Sequence, residues 1–117
     1  MTPEQVVKMQ LDAYNAKDIE AFMTFWHVNA RIFAHPDTLL CDGHAAIRER
    51  HVSRFREPDL HARLIDRFLI GERVVDRECV VRNFPEGVGE IDVLAIYEID
   101  GERIARAWFL SGEPRLR

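Results

Sequence analysis

The chain is short of several residue types, and each shortage removes a class of function. Only two of its 117 residues are cysteine. Cys41 and Cys79 stand alone without a Cys-x-x-Cys pair, which excludes a disulfide framework and a thiolate metal knuckle. Two reduced, buried thiols fit a reducing compartment, so a cytoplasmic location is expected. No apolar run approaches the roughly 20 residues of a membrane-spanning helix, and Met1-Thr2-Pro3-Glu4-Gln5 lacks the basic and apolar regions of a signal peptide. No membrane partner is expected. Lysine is nearly missing: Lys8 and Lys17 stand beside fourteen arginines, and the net charge is -4. Charges of both signs are interspersed with no basic stripe, which argues against nucleic acid as a partner. The six glycines and five prolines are scattered at turns, so linkers and low-complexity tracts are absent as well.

What is present is ordinary for a globular protein, with 47% hydrophobic and 31% charged residues. The length suits one domain, residues 1–117, and folding at this size hides roughly two-thirds of the unfolded chain's surface. Thr2-Pro3-Glu4-Gln5 is a capping box with Pro at the first helical position, and Val7, Leu11 and Tyr14 follow at helical spacing. Asn15-Ala16-Lys17-Asp18 breaks that pattern. Asp18 caps a second helix with Ile19, Phe22, Met23 and Trp26 on its inner face. A short strand is expected over Ala30 to Ala34, ended by His35-Pro36-Asp37, and a loop runs from there to Asp42-Gly43. A third helix from about His44 to Phe55 places Ile47, His51 and Phe55 along one face and Arg48, Arg50, Arg54 and Arg56 mostly on its wet sides.

The remainder reads as four strands, about His61 to Ile70, Val74 to Phe84, Glu90 to Ile99 and Arg103 to Leu110, separated by segments with turn chemistry. Asp100-Gly101 marks a tight hairpin. That hairpin is apolar on both faces, with Val93, Ala95, Tyr97 and Ile99 on one side and Leu94 and Ile96 on the other, so both need cover. Helices first and strands afterwards predict an α+β fold in which a curved antiparallel meander wraps the helices and leaves a conical cavity.

Three stretches resemble one family: Tyr14-Asn15-Ala16-Lys17-Asp18-Ile19, Asp42-Gly43-His44-Ala45-Ala46-Ile47-Arg48-Glu49, and Asp100-Gly101-Glu102-Arg103-Ile104 with Trp108-Phe109. In order and spacing they are similar to the SnoaL-like and ketosteroid-isomerase-like branch of the NTF2-like superfamily. The resemblance implies a cone-shaped, cystatin-like α+β fold with N-terminal helices on a strongly curved, mostly antiparallel sheet. It also implies cofactor-independent chemistry. The superfamily holds isomerases, cyclases, dehydratases and non-enzymes, so fold alone does not decide.

Ketosteroid isomerase works with an Asp base beside an oxyanion hole made by a Tyr and a protonated Asp. The resemblance puts Gln10 at the position of the oxyanion Tyr, Ala34 at the base and Ala95 at the acidic partner. Two alanines exchange no protons, so that mechanism is not expected. A one-residue gap would place His35 at the base position instead; the alternative is an exposed loop histidine. His51, between Ile47 and Phe55, lies where a third-helix residue positions the oxyanion donor, or else is a satisfied core histidine. His35 and His51 are the candidate catalytic residues, because imidazole is suited to proton transfer near neutral pH. No metal site is expected: His44 and His51 lie roughly 10 Å apart along a helix, and His27 and His61 have no ligand-like neighbours.

Alternation sends Asp76 and Glu78 to one face of their strand and Arg77 with Cys79 to the other. The resemblance turns Arg77 and Cys79 toward the pocket. A register slipped by one would bring the two carboxylates inward and revive acid/base chemistry. The expected pocket lining is Gln10, Tyr14, Trp26, Phe33, Phe55, Arg77, Cys79, Ala95, Tyr97 and Phe109, around a small apolar or carbonyl-bearing molecule. The outer sheet face, with Leu94, Ile96 and Trp108, is the expected homodimer contact, since aromatic residues and Arg are enriched at interfaces. Two functions follow: proton-transfer isomerisation, cyclisation or dehydration with no cofactor, or a non-catalytic binding or interaction module retaining the fold.

Overall fold

The structure, a computed structural model, describes residues 1–117. Thr2 caps α1 (Pro3–Ala16): its side chain accepts from the Gln5 N–H while the Gln5 side chain accepts from the Thr2 N–H. Lys17 ends the helix in a left-handed conformation, and its ammonium donates to the carbonyls of Glu57 and Pro58. Asp18 caps α2 (Ile19–Met23). The expected inner face of that helix is divided, because Trp26 opens a strand instead. The strands are β1 (Trp26–Ala34), β2 (Thr38–Asp42), β3 (His61–Ile70), β4 (Arg73–Phe84), β5 (Gly87–Asp100), β6 (Arg103–Ser111) and β7 (Arg115–Leu116), with α3 (His44–Arg54) between β2 and β3.

The sheet runs β2-β1-β6-β5-β4-β3, with β7 on β5. From β3 to β6 it is the expected antiparallel meander. The loops Gly71-Glu72 and Gly101-Glu102 each begin with a glycine at positive φ, 60° and 64°, which a two-residue hairpin loop needs at its first position. Three pairings differ from expectation. β1 is longer and lies parallel to β6, with Trp26 opposite Ile104. β2 occupies the expected loop, because β1 offers a free edge to Leu39 and Cys41. β7 docks on the start of β5, where the Cα of Gly89 comes so close that an added Cβ would meet the Arg115 carbonyl at 2.6 Å. Neither β2 nor β7 carries a periodic signal long enough to announce itself.

The curled sheet and the helices enclose a core that includes Val6, Val7, Phe22, Ile32, Ile47, Ile99 and Ile104. Leu11, Leu60, Ala62 and Val80 form a second, smaller cluster. No helix is long and apolar enough to cross a membrane.

One ion pair lies inside this frame. Asp76 is completely buried, and Arg67, opposite it on β3, holds both carboxylate oxygens at 2.7 and 2.9 Å. With Val74 and Asp76 inward, alternation carries Glu78, Val80 and Arg82 inward and turns Arg77 and Cys79 outward. Removing one member of a buried pair strands the other charge, at about 3–5 kcal/mol. Arg67→Ala should therefore lower unfolding free energy by about that amount in urea titration, and Arg67→Met with Asp76→Leu should recover much of it. A loss below about 1 kcal/mol in Arg67→Ala would show that the pair is not structural.

Candidate functional site

Between α1, α3 and the inner sheet face lies a cavity of about 160 Å³. Gln10, Tyr14, Trp26, His51, Tyr97 and Phe109 line it, together with Glu78 and Val80 of β4 and Ile91 and Val93 of β5. The wall is mostly apolar, with a few polar groups set into it, as small-molecule pockets commonly are.

Glu78 and His51 are the carboxyl and the imidazole of this wall. Glu78 is 5% exposed, and burial, helped by the charge of Asp76 and opposed by Arg67, pushes its carboxyl up to about 8. It is therefore a carboxylic acid at neutral pH and can donate a hydrogen bond. His51 is 6% exposed, its Nδ1 lies 2.7 Å from the Ile47 carbonyl, and Phe22, Phe55, Tyr14 and Trp26 surround the ring. A carbonyl only accepts, so Nδ1 carries the hydrogen and Nε2 keeps its lone pair. Burial, with the positive Arg54 and Arg50 nearby, lowers the imidazole to about 4 even though the Ile47 bond acts the other way. An acid that stays protonated thus shares one cavity with a base that stays neutral, the reverse of their order in water.

Two buried side-chain polar atoms in the molecule have no hydrogen-bond partner, Trp26 Nε1 and Glu78 Oε2. Both belong to residues of this cavity. Burial raises the Tyr14 hydroxyl, with the Arg54 charge and hydrogen bond opposing. It raises Tyr97 far more, and the adjoining carboxyls of Glu78 and Asp76 add to that while a hydrogen bond with Gln10 opposes it. Both phenols are neutral donors at working pH.

The other expected site residues lie elsewhere. Phe33 is on the outer sheet face, stacked on Trp108 at 5.6 Å, because its neighbours Ile32 and Ala34 take the inner positions of β1. Arg77 is exposed and Cys79 lies under Arg115 and Glu90, both turned outward by the inward Asp76 and Glu78. The slipped register is the one adopted, since Arg67 neutralises Asp76 and Glu78 keeps its proton. Ala95 is fully buried, flanked by its strand neighbours Asp76 and Phe109 and outside the cavity wall. Phe55 stands behind Tyr14 and His51, against the rings rather than on the wall. His35 is exposed in the β1–β2 turn, because Ala34 takes the inner position of β1 and alternation turns the next residue outward. Arg50 and Arg54, expected on wet sides of α3, face the cavity with Arg82. Their four-residue spacing places them on one helix face. No group of three His, Cys, Asp or Glu side chains is placed to hold a metal ion.

Residues 7–107 match the SnoaL-like domain family. The chain belongs to this family. No curated protein matches it in sequence. Among solved structures, this SnoaL-like chain resembles an uncharacterised cystatin-fold protein from Novosphingobium aromaticivorans, 27% identical over 93% of this chain and 97% of the other, with a TM-score of 0.86. IdmH from Streptomyces antibioticus, a proposed polyketide cyclase, is 18% identical over 95% and 92% of the two chains, TM-score 0.79. A protein from Catenulispora acidiphila with a ketosteroid-isomerase-like fold, solved with trimethylamine, is 14% identical over 93% and 85%, TM-score 0.76. The SnoaL-like fold, cystatin-like and open rather than closed into a barrel, is therefore the one the chain adopts.

The Glu78 proton leaves a signature in stability. The folded protein holds it more tightly than the unfolded chain, so stability falls as pH rises from the ordinary 4.5 to about 8. His51 has the opposite sign: its folded value of about 4 lies below the ordinary 6.5, and stability falls as pH drops through that window. Glu78→Gln should therefore raise the melting midpoint relative to the native protein more at about pH 8 than at about pH 5. An equal offset at both pH values would mean that Glu78 is charged in the folded state.

Proposed function

We propose that residues 1–117 form one small-molecule domain that catalyses proton transfer on a carbonyl compound, in an isomerisation, cyclisation or dehydration, without a cofactor. Trp26 Nε1 and Glu78 Oε2, unpartnered atoms of two residues on one cavity wall, carry this reading. A carbonyl oxygen supplies the acceptor that both groups lack, and leaving such groups unpaired costs about 1–3 kcal/mol each. Their two hydrogen bonds strengthen as negative charge grows on that oxygen, which is how a preorganised donor pair lowers a barrier. His51 Nε2 takes the proton from the carbon beside the carbonyl. The enolate so formed, held by the two donors, regains the proton from the His51 imidazolium at another carbon, or expels a β-hydroxyl that leaves as water with that proton in a dehydration. Its low proton affinity makes His51 a weak base that hands the proton back readily. Tyr14 and Gln10 orient the substrate.

A second reading, a binding module without turnover, has Ala34 and Ala95 in its favour, where the isomerase resemblance has carboxylates. A panel of small cyclic ketones in deuterated water separates the two. Catalysis predicts exchange of the α-hydrogens, a loss of about 100-fold or more in His51→Ala, and retained ligand binding in that variant. Ligand binding with no exchange in the native protein would leave the module.

We also infer a homodimer through the outer sheet face. Phe68, Val75, Ile96, Trp108, Phe33 and Leu39 follow one another across six strands. Leu94 and Leu110 lie beside this stripe, and the ion pairs of Glu98 with Arg73 and Arg106 border it. An apolar centre inside a charged rim is the usual anatomy of an interface. Trp108→Asp should give monomers or insoluble protein; an unaltered dimer by light scattering would remove this face from the contact. Two free, buried cysteines support the cytoplasm as the location.

A further inference from the structure

Three guanidinium groups share the cavity described above: Arg50 and Arg54, one turn apart on α3, and Arg82 from β4. They have one carboxylate between them. Glu57 accepts from Arg82 at 2.8 and 2.7 Å and lies 3.7 Å from Arg54. The Arg50 side chain makes no hydrogen bond and no ion pair. It is half-buried, and that burial together with the like charges of Arg54 and Arg82 weakens its hold on its own proton. Glu78, the other acid of the wall, is protonated at neutral pH and offsets none of this charge.

A half-buried cation facing two others is unfavourable, and like charges four residues apart on a helix add to the penalty. Had the surroundings been built only for stability, a second acid would stand opposite Arg50. The positions near it hold Cys41, Tyr14 and His51 instead, none of them anionic at neutral pH.

We propose that this cavity takes carboxylate ligands with an apolar body of about one ring, and that Arg50, free of protein partners, is the residue that reads the carboxylate. The inference rests on the reading of the cavity as a small-molecule site and adds the class of compound. A guanidinium presents a planar fork of donors that matches a carboxylate with two parallel bonds. Size sets the rest of the molecule. A dry cavity of about 150 Å³ accommodates benzene, and this one, at about 160 Å³, leaves the apolar wall of Leu11, Ile91, Val93 and Phe109 for one ring or a chain of that bulk.

Calorimetric titration with benzoate and benzamide, and with cyclohexanecarboxylate and its amide, tests the assignment at low ionic strength. The native protein should bind each acid about tenfold or more tightly than its amide, a difference of about 1.4 kcal/mol. Arg50→Gln should lose that preference while binding the amides within about twofold of native, and Arg50→Lys should keep part of it. Melting curves confirm folding, which Arg50→Gln should not weaken because no acid is left unpaired. Acids and amides bound alike, or a preference surviving in Arg50→Gln, would overturn the charge assignment while leaving the cavity a small-molecule site. Failure of all four compounds to bind the native protein would overturn both the size and the charge. The hydrogen-exchange assay on ketones decides the proton-transfer reading separately, so the two can fail independently.

Discussion

The contact between Arg67 and Asp76 decides which way β4 faces, and much of the site follows from it. A carboxylate at Asp76 cannot enter the core alone, because removing an unpaired charge from water costs several kcal/mol. Arg67 stands opposite on β3 and meets both oxygens. Once Asp76 is inside, the pleat carries Glu78 to the cavity wall and Arg82 to its charged end, while Arg77 and Cys79 turn outward. Asp76 then acts a second time: its charge helps keep the Glu78 proton in place. One ion pair thus settles the position of the acid, and burial at that position keeps it protonated.

The inner face also shows how an acid can be relocated within a sheet. Across β3, β4, β5, β6 and β1 runs a row of Arg67, Asp76, Ala95, Phe109 and Ala34. The two alanines hold positions that the isomerase resemblance fills with carboxylates, and the carboxylate present is Asp76, the cross-strand neighbour of Ala95. Its Arg67 partner makes it structural. The protonated donor stands one inward position further along β4, at Glu78. His51 completes the set from α3, kept neutral by four aromatic rings.

Much of the fold is legible in the chain. The Thr2 capping box, the Asp18 cap, the glycine loops and the alternating apolar runs are local signals, and local signals survive in sequence. The cystatin-like α+β class follows from their order, and Gln10, Tyr14, Trp26, His51, Tyr97 and Phe109 are found on the cavity wall. What the sequence hides is set by distant partners. Nothing near Trp26 announces that Ile104 lies beside it, and nothing near Asp76 names Arg67 as its partner. Pro36 as the end of β1 is readable, but the direction of His35 depends on the register of Ala34 against Phe109, which nothing local announces. Arg50 and Arg54 look like solvated charges until the sheet curls far enough to bring Arg82 and the cavity to them.

The parallel pairing of β1 with β6 has a bearing on how the protein comes into being. β2 is attached only to β1, and β1 joins the rest of the sheet only through β6, far along the sequence. During synthesis the first two strands must therefore wait, with Ile32 and Phe33 uncovered, until β6 has left the ribosome. Contacts so remote in sequence slow folding and prolong the exposure of unpaired edges. The cavity is accordingly one of the last features to exist. Tyr97 and Phe109 reach it from late strands, and no nascent fragment lacking β6 can present it.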